Sequence, residues 1–183
     1  LKDREDIKNS EETKNDEIPI KLMGGSENMA TVTSGVFPVF NIDFKIGTKG
    51  RASAEEDMKI IKDLESFSIS IDGNTEEWTP MDTEGWQRRL MTGKGFTLSL
   101  NGKRHIGDPG NDYVASTAWK SGLDCSSKFE VVFPDGSKLT FDCIVDVSNP
   151  GAGDSTDVAN LEFDVLSDGK PKYSSSGTPP VEG

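Results

Sequence analysis

The sequence predicts a mainly β protein, an antiparallel sandwich or barrel with one short helix and with arms and loops left over for assembly. Three observations carry this. Six runs alternate apolar and polar residues with period two, turn-forming residues fall between several of them, and a single segment shows an apolar stripe at helical spacing.

The runs follow in order. Phe40, Ile42, Phe44 and Ile46 alternate with Asn41, Asp43 and Lys45, the mark of a half-buried strand. Phe67, Ile69 and Ile71 alternate with serines, and Phe96, Leu98 and Leu100 alternate with Thr97 and Ser99. Phe129, Val131 and Phe133 form a fourth run, Leu139 to Val147 a fifth, and Leu161, Phe163 and Val165 a sixth. Lys59 to Leu64 and Glu76 to Met81 are weaker strand candidates. Pro134-Asp135-Gly136-Ser137 between two runs is a strong hairpin signal. Asp72-Gly73-Asn74 and Asn101-Gly102 read as similar turns. The helix is expected over about residues 111–121, capped by Asn111, with Tyr113, Val114, Ala118 and Trp119 facing the core and Gly122 as its stop. A helix of this length is unstable alone and must lie on a sheet.

Composition narrows the function. Of 183 residues, 20 are basic and 32 acidic, a net charge of −12. Gripping nucleic acid by neutralising phosphates needs a basic face, which this balance argues against. No apolar run approaches the roughly 18 residues of a membrane-spanning helix. The first 28 residues hold 13 charged residues and few large apolar ones, too few for a core of their own. They end in Gly24-Gly25-Ser26, a flexible joint. The folded domain is therefore expected at 29–172, after an N-terminal extension at 1–28 and before a Ser/Gly/Pro-rich tail at 173–183. Leu1 in place of Met points to a fragment or a processed chain, and the extension reads as an arm, an upstream segment or an expression remnant.

No catalytic, cofactor or metal site is expected. Two cysteines, Cys125 and Cys143, and one histidine, His105, show no zinc-ligand spacing and read as free thiols in a reduced compartment. Gly93-Lys94 lacks the partner glycine and the Ser/Thr of a phosphate loop. Asp154-Ser155-Thr156-Asp157 lacks the spacing of a calcium loop. The acidic pairs Glu55-Glu56-Asp57, Glu76-Glu77 and Asp82 with Glu84 read as solvated faces. Asp124 beside Cys125 disfavours a reactive thiolate, and Cys143 falls on the apolar face of its strand. Arg88, Arg89, Lys94, Lys103 and Arg104 form the densest basic region. In an acidic protein they point to contact with an acidic surface on a neighbour, hence head-to-tail self-association.

One region is more specific. Glu77-Trp78-Thr79-Pro80-Met81-Asp82, Glu84-Gly85-Trp86-Gln87-Arg88-Arg89-Leu90-Met91-Thr92-Gly93-Lys94, Gly107-Asp108-Pro109-Gly110-Asn111-Asp112-Tyr113-Val114-Ala115, Phe133-Pro134-Asp135-Gly136 and Ser167-Asp168-Gly169-Lys170-Pro171 resemble the tail tube (major tail) proteins of long-tailed, non-contractile phages and prophages of Gram-positive bacteria. The resemblance covers about Met29 to Lys172. It implies two packed antiparallel sheets flanked by one helix, and six copies closing into rings that stack into a tube for DNA. It also implies partners of the tail terminator, tape-measure and baseplate type, assembly in the host bacterial cytoplasm, residence in the virion, and no catalytic residue.

In such a ring, edge strands become lateral contacts. An acidic lumen keeps DNA from adhering, with a reach of only about 8 Å at physiological salt. Asp72, Glu76 and Glu77 are the lumen candidates, and Arg88, Arg89, Lys103 and Arg104 the subunit-contact candidates. The loop Gly47 to Asp57, with Lys49, Arg51, Glu55, Glu56 and Asp57, is the candidate for contact between rings, together with the arm Met29 to Pro38 and the tail Ser167 to Gly183. Each is expected to order only on assembly, so deleting Lys49 to Glu56 should leave a folded monomer that forms no tubes. A different reading is an acidic carbohydrate-binding module that uses exposed Trp78 and Trp86. An enzyme built on Cys125 and His105 is a third.

Overall fold

A computed structural model describes residues 35–175; the expected extension at 1–28, the arm as far as Ser34 and the tail beyond Ser175 lie outside these. The elements are β1 (Asp43–Gly47), β2 (Met58–Ile60), β3 (Leu64–Trp78), β4 (Arg88–Lys103), α1 (Pro109–Thr117), β5 (Ser126–Val132), β6 (Lys138–Asn149), β7 (Asn160–Ser167) and β8 (Lys172–Ser174). The protein is mainly β, antiparallel throughout, with one α-helix among the described residues.

All eight strands belong to one hydrogen-bonded sheet, ordered β2-β1-β5-β6-β7-β4-β3, with β8 pairing the start of β6. The layered packing expected of two sheets is reached by curling this one. β2 and β3 lie at opposite ends of the strand order, yet only residues 61–63 join them. Curling brings Phe44 of β1 against Phe67 of β3, ring centroids 4.9 Å apart, while Phe96 of β4 meets Phe141 of β6 at 4.7 Å across the end of β7. Between the two halves lie Ile46, Leu98, Leu100, Phe129, Leu161, Phe163 and Val165, all buried. These are the inward positions of the period-two runs.

Several expectations change. Phe40 is exposed and falls in a 3-10 turn, so the first run becomes a strand only at Asp43. Asp72-Gly73-Asn74 and Asn101-Gly102 are strand interior, because β3 and β4 run 15 and 16 residues before the chain turns at 79–87. Glycine has other uses there. A Cβ on Gly102 would stand 2.2 Å from the Asp63 carbonyl oxygen, where the chain leaves the 61–63 link.

The helix begins earlier than expected. Asp108 is its N-cap and accepts the Asn111 N–H at 3.0 Å, with Pro109 in the first turn. Asn111 is therefore inside the helix and fully buried. Helix α1 ends at Thr117, and Trp119 beyond it is 86% exposed rather than part of the core. The stripe that anchors α1 is Gly110, Asn111, Val114, Ala115 and Thr117. The tail is held as far as Ser174 by the β8 pairing with β6.

Candidate assembly surfaces

β3 and β4 outgrow the sheet. β7 pairs with β4 only from Thr97 to Lys103, so among the described residues the outer halves of β3 and β4 pair as strands only with each other. From Ile71 outward they project as a two-stranded ribbon about 24 Å long to Trp78, at the usual rise per residue. An isolated two-stranded ribbon is marginal in water, and the opposite edge of β3 has no partner among the described residues. A long free edge is a template for pairing with another chain.

Register sorts the ribbon faces. Phe67, Ile69, Ile71, Thr75 and Glu77 lie on one face with Leu100, Leu98, Phe96, Met91 and Arg89. Ser68, Ser70, Asp72, Asn74 and Glu76 lie on the other. Asp72 and Glu76 therefore share an exposed polar face and have no ion-pair partner among the described residues. Glu77 is on the opposite face and accepts from Arg89 Nε at 2.5 Å and from Gln87. This pairing holds the Glu77 carboxyl below its ordinary range, with the Arg89 hydrogen bond the largest cause.

The basic residues do not form one patch. Arg88 and Arg89 sit at the start of β4, Lys103 at its end, and Arg104 just beyond. Lys103 donates to Asn160 at 2.8 Å and lies 3.6 Å from Glu65. Arg104 pairs with Asp112 at 2.6 Å and donates to Asn111. Neighbours in sequence along a strand separate at over 3 Å per residue, so a sequence cluster is not a surface cluster.

Asn111 is the hub of this corner. Its Nδ2 donates to the carbonyls of Lys62 and Lys103 at 3.2 and 2.9 Å, and its Oδ1 accepts from His105 N and Arg104 at 3.0 and 2.8 Å. It ties α1, the 61–63 link and the end of β4 together. A helix this short gains its fixed position from that network and from Gly110, whose missing Cβ would fall 2.3 Å from the Ile60 carbonyl oxygen.

The loop Gly47 to Asp57 is folded onto the body, against expectation. Ser53 is buried; its Oγ donates to the Gly50 carbonyl at 2.6 Å and accepts from Lys49 N at 3.0 Å, and its carbonyl accepts Lys128 Nζ at 2.8 Å. Lys49 pairs with Asp57 at 2.7 Å, Lys138 lies 3.6 Å from Glu55, and Arg51 pairs with Asp168. Of the five loop candidates only the Glu56 carboxylate has no ion-pair partner among the described residues. Four charges proposed for a neighbour are used within the chain.

The other candidate chemistries are not assembled. His105 pairs with Asp63, while the Cys125 sulfur lies 4.0 Å from the Thr117 carbonyl oxygen. Among the described residues no group of three acidic, histidine or cysteine side chains is placed to hold a metal ion. None of their helices is long and apolar enough to cross a membrane. Trp78 and Trp86 are both exposed at the ribbon end, without a ring contact between them.

Sequence reading takes Glu76 to Met81 as a weak strand, Asp82 with Glu84 as a solvated face and Trp86 as exposed, but it does not predict the turn at 79–87 that forms the ribbon tip. Thr83 knots it: its Oγ1 lies 2.8 Å from the Pro80 carbonyl and 2.7 Å from the Trp86 carbonyl, and Trp86 N donates to Thr83 O at 2.9 Å. The knot holds Glu84 in the left-handed region at φ 52° and Gly85 at φ 86°. A non-glycine residue there is strained. The knot presents Met81, fully exposed, and Trp86, 78% exposed, at the end of the ribbon.

No family model matches the sequence, and no curated protein matches it. Solved structures share the fold. One is a chain from the tail of an empty gene transfer agent particle, determined by helical refinement with C6 symmetry: TM-score 0.60, 17% identity, covering 76% of this chain and 100% of that one. Another is a chain from the virion of a native gene transfer agent particle, with TM-score 0.55, the same identity and the same coverage.

Proposed function

We propose that this chain is a structural subunit of a phage-like tail, in which six copies close into rings and rings stack into a tube that conducts DNA. The fold it shares with a chain of a C6-symmetric tail, over the whole of that chain, carries the reading. The motif resemblance to tail tube proteins of phages of Gram-positive bacteria supports it independently. Residence is then in the virion, after assembly in the host cytoplasm. Terminator, tape-measure and baseplate-type proteins are the partners beyond the chain itself, and the role is structural, without catalysis.

The geometry suits the task. The free edge of β3 gives a lateral contact, and closing a ring removes that edge. The polar ribbon face, with Asp72 and Glu76, is the face assigned to the bore, where carboxylates keep phosphates from adhering. Glu77, neutralised by Arg89, takes no part in that lining. Arg88, exposed and without an ion-pair partner among the described residues, remains a subunit contact, and Glu56 remains the inter-ring candidate of the loop.

Electron microscopy of the full chain across a concentration series, with light scattering for mass, tests this. Rings or hollow tubes with sixfold symmetry are expected. A single-copy mass at every concentration overturns the reading. The exposure of Trp78 and Trp86 keeps sugar binding as the second reading, and a polysaccharide titration followed by tryptophan fluorescence separates the two.

A further inference from the structure

The ribbon tip has a counterpart elsewhere on the same molecule. At the ribbon base, where β3 and β4 leave the sheet, Ile71, Gly95 and Phe96 together with Gly169 and Pro171 line a hollow of about 630 Å³. Its walls are mainly apolar, and its volume falls in the range that admits bulky groups. The other two lining residues are Lys94 and Lys170. Neither has an ion-pair partner among the described residues.

The tip shows the complementary chemistry. Met81 and Trp86 protrude, and between them stand Asp82 and Glu84, likewise without ion pairs among the described residues. The Thr83 knot fixes the backbone turn that carries these side chains before any contact forms. Two exposed large apolar side chains on a rigid tip, flanked by two carboxylates, match an apolar hollow flanked by two ammonium groups. The chain cannot make this contact with itself, because the ribbon holds the tip more than about 20 Å from its own base.

We propose that the tip of one copy docks in the ribbon-base hollow of a second copy, with Met81 and Trp86 in the apolar floor and Asp82 and Glu84 against Lys94 and Lys170. The contact is heterologous: the tip of the second copy stays free for a third, so the series continues beyond two copies. Apolar burial supplies the affinity, and the charges select the orientation. The inference rests on the self-association proposed above and adds to it the two surfaces that meet.

The test uses the full chain with Cys125→Ser, Met81→Cys and Ile71→Cys, oxidised by diamide. Ile71 shares the face of Phe96 and is 67% exposed, so a thiol there stands in the hollow and remains accessible. A non-reducing ladder extending beyond dimer is expected, together with heterodimers when the two single-site variants are mixed. A second arm reverses charge. Asp82→Lys with Glu84→Lys, and separately Lys94→Glu with Lys170→Glu, should each weaken association by about tenfold or more, and mixing the two variants should restore it. Rings or tubes that form without cross-links and are indifferent to both reversals overturn the docking while leaving the assembly reading intact. A chain that stays single at every concentration overturns both. Cross-linking within one chain between Ile71→Cys and Val181→Cys assigns the hollow to the chain's own C-terminal segment and also overturns the docking.

Discussion

Phe44 and Phe67 meet edge to face with ring centroids 4.9 Å apart, although four strands separate β1 from β3 in the sheet order. This contact reports directly on the curl of the sheet. Phe44→Ala should cost about 3–5 kcal/mol, the usual range for deleting a buried phenylalanine. In a double-mutant cycle with Phe67→Ala, urea unfolding should show a coupling of about 0.5–1.5 kcal/mol. Strict additivity would mean that the two halves do not touch in solution.

Asn111→Ala should destabilise by about 3 kcal/mol, because it strands buried partners on both sides of the amide. Asn111→Asp should be worse, since a carboxylate would face the Lys62 and Lys103 carbonyls that now accept hydrogen bonds. Denaturation midpoints of the two variants give the order, and equal midpoints would remove Asn111 from its role as hub.

Deleting residues 49–56 should lower the melting temperature, contrary to what the sequence alone predicts. The deletion removes buried Ser53, its bond to Lys128 and the Arg51–Asp168 pair. Glu56→Lys is the cleaner probe of stacking, and circular dichroism should show its melting unchanged.

Acid should weaken the fold through Asp57 and Asp112. Both carboxyls are held below the ordinary aspartate value of 3.8, Asp57 chiefly by its hydrogen bond with Lys49 and Asp112 chiefly by its hydrogen bond with Arg104. The folded state therefore binds fewer protons than the unfolded chain, so this stability is present above the unfolded value and is lost as pH falls through the depressed values. Urea midpoints measured from pH 7 down to pH 2 should drop below about pH 4, and Asp112→Asn should flatten part of that limb.

The two thiols should differ. Burial pushes the Cys143 thiol up to about 12, and the side chain has no exposed surface. Cys125 is partly exposed. Iodoacetamide at pH 8 should label one site in the native chain and two after unfolding, read by intact mass. Native labelling at Cys143 would show that the core opens readily.

What the sequence shows and hides follows from period and distance. Alternation over Phe129 to Val131 or Leu161 to Val165 is legible because each inward residue meets the same apolar layer. The ribbon was hidden because Gly73, Thr75 and Glu77 replace apolar residues once β3 leaves that layer, so a turn looked natural at Gly73-Asn74. The helix start was ambiguous because Asp108 and Asn111 are both good caps; burial of Asn111 among distant carbonyls decides it, and no local pattern carries that. Trp119 kept helical spacing after the helix had ended. Lys103 and Arg104 looked like company for Arg88 and Arg89, but a strand spreads such neighbours over its whole length. The exposed tip left no periodic signal at all.

The three residues between β2 and β3 give the curled sheet an unusual mechanics. They fasten its two ends with covalent bonds, so the sheet behaves as a hoop rather than a scroll. A pull on the ribbon reaches Leu64 and the Asp63 carbonyl, where the Lys103 N–H donates at 2.8 Å, and passes into β2 and the helix docked on it. The load is shared around the circumference instead of peeling strands off one edge. A subunit so fastened can be tugged by its longest appendage and keep its shape.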